Sequence, residues 1–172
     1  GPVDVLVNNA GILIMGSFLD ISEEEMERVW QTNYFGIVHL TRALVPGMIE
    51  NGGGTIVNVA SLAGRVGHMF NAAYGASKHA LVGFSQSIRF ELKPFNIKVS
   101  AVEPGYHRTE IIRANANACE RFYDRSSPTF EWNRGFLRTM MEEIIPRAGD
   151  PQAVADKIVQ IMQMEDPKAE YA

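Results

Sequence analysis

Cysteine occurs once in the 172 residues, at Cys119, so no internal disulfide framework is available. A lone thiol fits a reducing compartment, and nothing at the start reads as a leader, so a cytoplasmic protein is expected. Positive charge is also scarce. Sixteen Lys and Arg stand against 20 Asp and Glu, a formal charge of -4 with a pI near 5.6, which argues against a broad basic surface for nucleic acid. No apolar run approaches the roughly 18 residues that a membrane-spanning helix requires. Internal repeats and low-complexity tracts are missing too. The remaining composition, 46% hydrophobic and 21% charged, is that of an ordinary globular protein with enough chain for one sizeable core, but not comfortably for two.

The apolar residues that are present fall into alternating strand and helix patterns. Val3 to Val7 is apolar on both faces apart from Asp4 and reads as a buried strand of a parallel sheet. Ser22 with Glu25 forms a capping box for a long helix. Along it Met26, Val29, Trp30, Asn33, Ile37, Leu40 and Leu44 share one face, Pro46 and Gly47 weaken the last turns, and Gly52 to Gly54 ends it. Thr55 to Ala60 is a second strand, Ala73 to Lys93 a helix closed by Pro94, and Ile97 to Val102 a third strand. Strands alternating with helices predict right-handed crossovers and an α/β, doubly wound parallel sheet. From Tyr106 to Ala148 the periodicity decays among arginines and aromatics. That stretch is too long for an ordinary connection, and a substrate-covering insertion is expected there. Asp150 then caps a short helix that runs from Pro151 to about Gln163.

Candidate chemistry gathers at the predicted carboxyl ends of the strands, where open α/β sheets bind ligands. Tyr74 and Lys78 lie four apart on one helix face. A phenol titrates near pH 10, and a neighbouring ammonium should lower that value towards useful acid/base chemistry. Taken alone, Tyr-x-x-x-Lys is common by chance. Ser61, thirteen residues before Tyr74 at the end of a strand, adds a hydroxyl able to donate to a carbonyl oxygen; its simpler reading is a turn residue. Asn33 is an amide on an apolar stripe, which requires either a structural hydrogen bond or a bound water. Asn8-Asn9-Ala10-Gly11 and Pro104-Gly105 also follow strands, and their small residues allow a flat or phosphorylated ligand to approach the backbone.

In this order, Asn8-Asn9-Ala10-Gly11, Asn33, Ser61, Tyr74-x-x-x-Lys78 and Pro104-Gly105 with Thr109 resemble the short-chain dehydrogenase/reductase family of the single-domain type. The resemblance is close from Val3 to Thr109 and resumes around Gly149 to Gln163. It implies NAD or NADP as cofactor, no metal, and a carbonyl or secondary-alcohol substrate. Tyr74 would be the acid/base. Lys78 would lower its pKa and bind the nicotinamide ribose, Ser61 would polarise the carbonyl, and Asn33 would hold a relay water. Asn9, Ala10 and Gly11 would pack near the adenosine side, and the segment from Pro104 through Gly105 and His107 to Thr109 would meet the nicotinamide. His107 departs from the family, which usually has an apolar residue there, and is read as a local alteration of the pocket. The small-residue stripe Ala76, Ala80, Gly83 and Ser87 suits close helix packing, and the family's habit of pairing this helix implies a homodimer or tetramer for the complete protein. The aromatics of 106–148 favour a bulky or apolar substrate.

The family's opening Gly-x-x-x-Gly-x-Gly turn does not occur in the sequence. The expectation is therefore a partial Rossmann-like domain, residues 1–172, that begins at the family's fourth strand with the first three strands absent, as a fragment of a longer protein. Lys168 to Ala172 reads as the approach to a last strand that is not reached. The alternative to an enzyme is a non-catalytic fragment surviving as an interaction module.

Overall fold

A run of β-branched residues that is apolar at every position has to be covered on both sides, and this requirement organises the sheet. In the computed structural model, which describes residues 2–113 and 116–172, β1 (Val5–Asn8) is followed by a three-residue strand β2 (Leu13–Met15). Helix α1 (Glu23–Trp30) runs through a π turn at Gln31–Phe35 into α2 (Gly36–Glu50), and β3 (Gly54–Val59) follows. Next come α3 (Ala72–Leu92), β4 (Ile97–Val102), the short α4 (Glu110–Arg113) and β5 (Ala116–Ala118). Helices α5 (Phe130–Thr139) and α6 (Pro151–Gln163) lead to β6 (Glu170–Tyr171).

The main sheet has the order β1-β3-β4-β6, every pair parallel, with Val5 opposite Thr55, Gly54 opposite Ile97 and Ala101 opposite Glu170. Alternation along β3 distributes its side chains between two layers. Ile56 packs with Leu6, Met48, Ile97 and Val99 against α2 and α3. Its neighbour Val57 packs with Val102 and Ile161 against α6. Both are fully buried (0% exposed), so helices cover both faces and the sheet is doubly wound as expected. Each such side chain contributes about 1.5–3 kcal/mol relative to exposure. Beside the sheet, β2 pairs in parallel with β5 across about a hundred residues of sequence. Leu13, Ile14 and Met15 join Ile21, Val29, Ala73, Cys119 and Phe122 in a separate core.

Several expectations are corrected. The expected single helix contains the π turn that carries Asn33, and α2 runs past Pro46 to Glu50, just before the Gly52 to Gly54 run expected to end it. The last strand is reached after all: Ala101 N–H donates to Ala169 (2.8 Å) and Glu103 N–H to Tyr171 (2.7 Å). Arg65 secures it by donating to both carboxylate oxygens of buried Glu103 (2.6 and 2.9 Å) and also to Glu170. A two-residue strand is too short to announce itself by periodicity. The stretch 106–148 is richly structured, holding α4, β5, α5 and a π turn at Met140–Ile144; positions 114–115 within it lie outside the described residues.

Candidate active site

Because β1, β3 and β4 run parallel, the segments that follow them emerge along one edge, and α3 returns across it. The capping box of α1 forms as read: Glu25 N–H donates to Ser22 Oγ (3.2 Å) and Ser22 N–H to Glu25 Oε2 (2.9 Å). Beneath the edge, Asn8 Nδ2 donates to Asn58 Oδ1 (2.8 Å) and Thr41 Oγ1 (3.2 Å), while Asn58 Nδ2 donates to Ser85 Oγ (2.8 Å). This buried amide ladder joins β1, β3, α2 and α3, and fixes the level at which Asn9 and Ser61 leave the sheet.

Ser61 caps the one-turn 3-10 helix Leu62–Gly64, its Oγ accepting from Ala63 N–H (3.1 Å). That turn lies against α3 so closely that a Cβ on Gly64 would stand 2.9 Å from the Lys78 carbonyl oxygen, a place only glycine fits. The close approach brings Ser61 to Tyr74. Lys78 is buried, its Nζ donating to the Val59 carbonyl (2.8 Å) and lying 5.8 Å from the Tyr74 ring centre. Burial lowers the Lys78 pKa from 10.5 to about 8. The Tyr74 phenol moves opposite to the expected direction. Burial raises its pKa, the Ser61 hydroxyl offsets part of the rise, and the Tyr106 phenol adds to it. The expected lowering by Lys78 does not appear: its ammonium is directed at the Val59 carbonyl, and burial dominates at the phenol.

Asn33 is completely buried, and its amide is committed: Oδ1 accepts from Ile12 N–H (2.8 Å), and Nδ2 donates to the Ile12 carbonyl (3.0 Å) and to Ser77 Oγ (3.1 Å). Ser77 in turn donates to the Tyr74 carbonyl (2.7 Å). The structural reading of the Asn33 side chain is thus sufficient, and its π turn displaces a backbone carbonyl from the α-helical ladder. Gly11 sits where these groups converge: a Cβ there would lie 3.5 Å from Lys78 Nζ and 3.6 Å from Asn33 Oδ1. Asn9, Ala10 and Gly105 are exposed along the same edge. His107 packs its ring on Gly149, with Nδ1 3.1 Å from the Gly105 carbonyl oxygen, and Gly149 N–H donates to the Tyr106 carbonyl (2.8 Å). This clip shapes the segment from Pro104 to Thr109.

Sequence reasoning missed Ser77, whose i+3 spacing from Tyr74 was visible, and Tyr106, whose proximity to Tyr74 had no signal in the sequence. It also missed Asp20 and the second use of Glu25, whose Oε1 accepts from the backbone of Glu120 (2.9 Å).

Ser61, Tyr74 and Lys78 thus gather at the carboxyl edge of a doubly wound parallel α/β sheet. The short chain dehydrogenase profile matches residues 1–120, and the chain belongs to that family. It is 36% identical over 160 residues to the uncharacterized oxidoreductase YusZ of Bacillus subtilis, covering 93% of this chain and 57% of that protein. A short-chain dehydrogenase from Streptomyces avermitilis superimposes with a TM-score of 0.84 at 35% identity, covering all of this chain and 60% of the other. 4-Hydroxyisoleucine dehydrogenase complexed with NADH aligns over 98% of this chain and 65% of its own, at 26% identity and TM-score 0.74. The chain therefore spans little more than half the length of the Bacillus relative. No helix among the described residues is long and apolar enough to cross a membrane.

Proposed function

We propose that the protein is an NAD(P)-dependent oxidoreductase that interconverts a carbonyl compound and a secondary alcohol. The observation that carries this reading is the convergence of Ser61, Tyr74 and Lys78 beyond the end of β3, beside Gly11. The residues present fit the nicotinamide-ribose half of a dinucleotide. Gly11 leaves free the space beside Lys78 Nζ and Asn33 Oδ1, and Lys78 uses one of its three N–H groups on Val59. When bound, NAD or NADP supplies or accepts the hydride. Asn9, Ala10 and Gly11 would flank the adenosine side, while Pro104, Gly105, His107 and Thr109 would meet the nicotinamide, His107 through its backbone. NADH in the complex of 4-hydroxyisoleucine dehydrogenase supports the same class of cofactor.

In carbonyl reduction Ser61 Oγ–H donates to the carbonyl oxygen and orients it. Tyr74 gives its phenolic proton to that oxygen; in alcohol oxidation it takes the proton back. A phenol raised by burial is a proton donor in the resting state, and a cation at Lys78 stabilises the phenolate as it forms. Asn33 would hold the relay water through the backbone of its π turn, since its amide is already engaged. The segment 106–148 would cover a bulky or apolar substrate.

The complete protein would assemble as a dimer or tetramer through α3, on which Ala76, Gly83 and Ser87 are exposed; sedimentation of the full-length protein as a monomer would remove this assignment. The catalytic reading is tested by Tyr74→Phe in the full-length protein, assayed for cofactor-linked turnover on a panel of ketones and alcohols. Activity should fall by roughly 10²–10⁴-fold with the fold unchanged. Wild-type rates in that variant would overturn the role of Tyr74.

A further inference from the structure

Asp20 takes no part in the proton-transfer cluster, yet its carboxylate is buried at the end of the loop that follows β2 (3% exposed). Its partners among the described residues are neutral donors. Oδ1 accepts from Ser127 Oγ (2.6 Å), while Oδ2 accepts from Ser17 Oγ (2.9 Å), Asn133 Nδ2 (3.2 Å) and Thr129 Oγ1. Ser127 and Thr129 belong to the turn before α5, and Asn133 to its first turns. Asn133 Nδ2 also donates to the Phe122 carbonyl (3.1 Å). One carboxylate thus gathers the Ser17 loop, the 3-10 turn at Glu120–Tyr123 and the start of α5. Burial opposes its charge, but the hydroxyls of Ser127, Thr129 and Ser17 and the amide of Asn133 outweigh that cost and hold its pKa at about 2.

The junction has a direct line to the site. Next to Ser17, Gly16 N–H donates to the carbonyl of Phe70 (3.0 Å). Phe70 has φ 61, a left-handed conformation that a bulky side chain adopts only when its surroundings impose it. Its ring packs on Phe136 of α5 with centres 4.8 Å apart. Phe136 and Tyr74 pack against the same core, and Phe70 lies between Ser61 and Tyr74 in sequence. The loop that carries Asp20 therefore grips both halves of this aromatic pair: Phe70 through Gly16, and Phe136 through the start of α5.

We propose that Asp20 is a positioning residue that holds α5 and its preceding turn closed over the Tyr74 site, so that Phe136 and Phe70 form an apolar wall for the flat, non-reacting part of the substrate. The wall rests on the oxidoreductase reading; the latch does not. Hydrogen bonds to an ionised acceptor are strong and directional, so removing the charge should loosen the cover without unravelling the sheet.

The test is Asp20→Asn, which preserves size but turns an amide towards four donors. Amide exchange of residues 119–140, followed by mass spectrometry on the 172-residue chain, should accelerate on the order of tenfold while peptides of β1, β3 and β4 keep their wild-type protection. Unchanged exchange in 119–140, or equal acceleration in the sheet, would overturn the latch. If Asp20→Asn does not fold, the double variant Ser127→Ala with Thr129→Val removes two of the donors and should give the same localised acceleration. The wall is read in the full-length protein with acetophenone and acetone as paired ketones. The wild type should favour acetophenone, and both Asp20→Asn and Phe136→Ala should lose that preference through a raised KM for acetophenone. A wild type active on acetone but indifferent to the aryl group would overturn the wall. A wild type inactive on every ketone and alcohol would instead sink the oxidoreductase reading, leaving the exchange result to judge the latch.

Discussion

The sheet and the cover of this protein are held by different forces. Strands β1, β3 and β4 share a continuous parallel ladder, and side chains such as Ile56, Val57 and Val99 are essentially free of solvent on one face or the other. The cover around α5 combines apolar contacts of Phe122, Phe136 and Leu137 with the smaller core and side-chain hydrogen bonds on Asp20 and Glu25, while Trp132, Tyr123 and Met141 remain exposed on its outside (58–70%). Apolar burial is non-directional and cooperative, so the sheet opens only when the domain does. A closure that also depends on a few directional bonds can be released by itself, as the proposed substrate cover would require.

The contrast is sharpened first by mutation in the sheet. Ile56→Ala should cost about 2–5 kcal/mol of global stability by deleting buried methyl groups and leaving a cavity. Chemical denaturation checks this, and a loss confined to the cover would break the distinction. The next effect comes from Lys78, where site and sheet meet. Between about pH 8 and 10.5 the folded protein releases the Lys78 proton while the unfolded chain retains it, so stability should rise with pH over that window and stay flat for this group below it. The rise should be on the order of 3 kcal/mol, the difference between 10.5 and about 8 taken at 1.36 kcal/mol per pKa unit. Subtracting the urea midpoints of Lys78→Met from wild type at pH 7.5 and pH 10 isolates it, and identical pH slopes would remove the assigned cause. The smallest change is expected on the outer face of the cover. Trp132→Gln should alter global stability by no more than about 0.5 kcal/mol, so a larger loss in thermal melting would show that the cover is welded to the core.

Much of the site was legible because its spacing reflects regular geometry. Tyr74 and Lys78 share a helix face at four residues, and Ser61, Asn9 and Gly105 stand just past runs of β-branched residues that end together in a parallel sheet. The cover was not legible in the same way. Ser127, Thr129 and Asn133 meet Asp20 from more than a hundred residues away, and β2 and β5 are three-residue strands with no period of their own. Asn33 was recognised as a costly buried amide, but only the fold shows that its side chain bonds to Ile12 and Ser77.

The sequence by itself determined the order of β1, β3 and β4 and of the long helices between them, and it singled out the side chains proposed as reactive, because those follow from local propensity and periodicity. Tertiary structure decided three things no local pattern encodes. They are the completion of the sheet by Glu170 and Tyr171, the closing of the cover on Asp20, and the upward direction of the Tyr74 pKa. Each depends on which distant groups exclude water from a given atom, and desolvation is a property of packing rather than of neighbours in the chain.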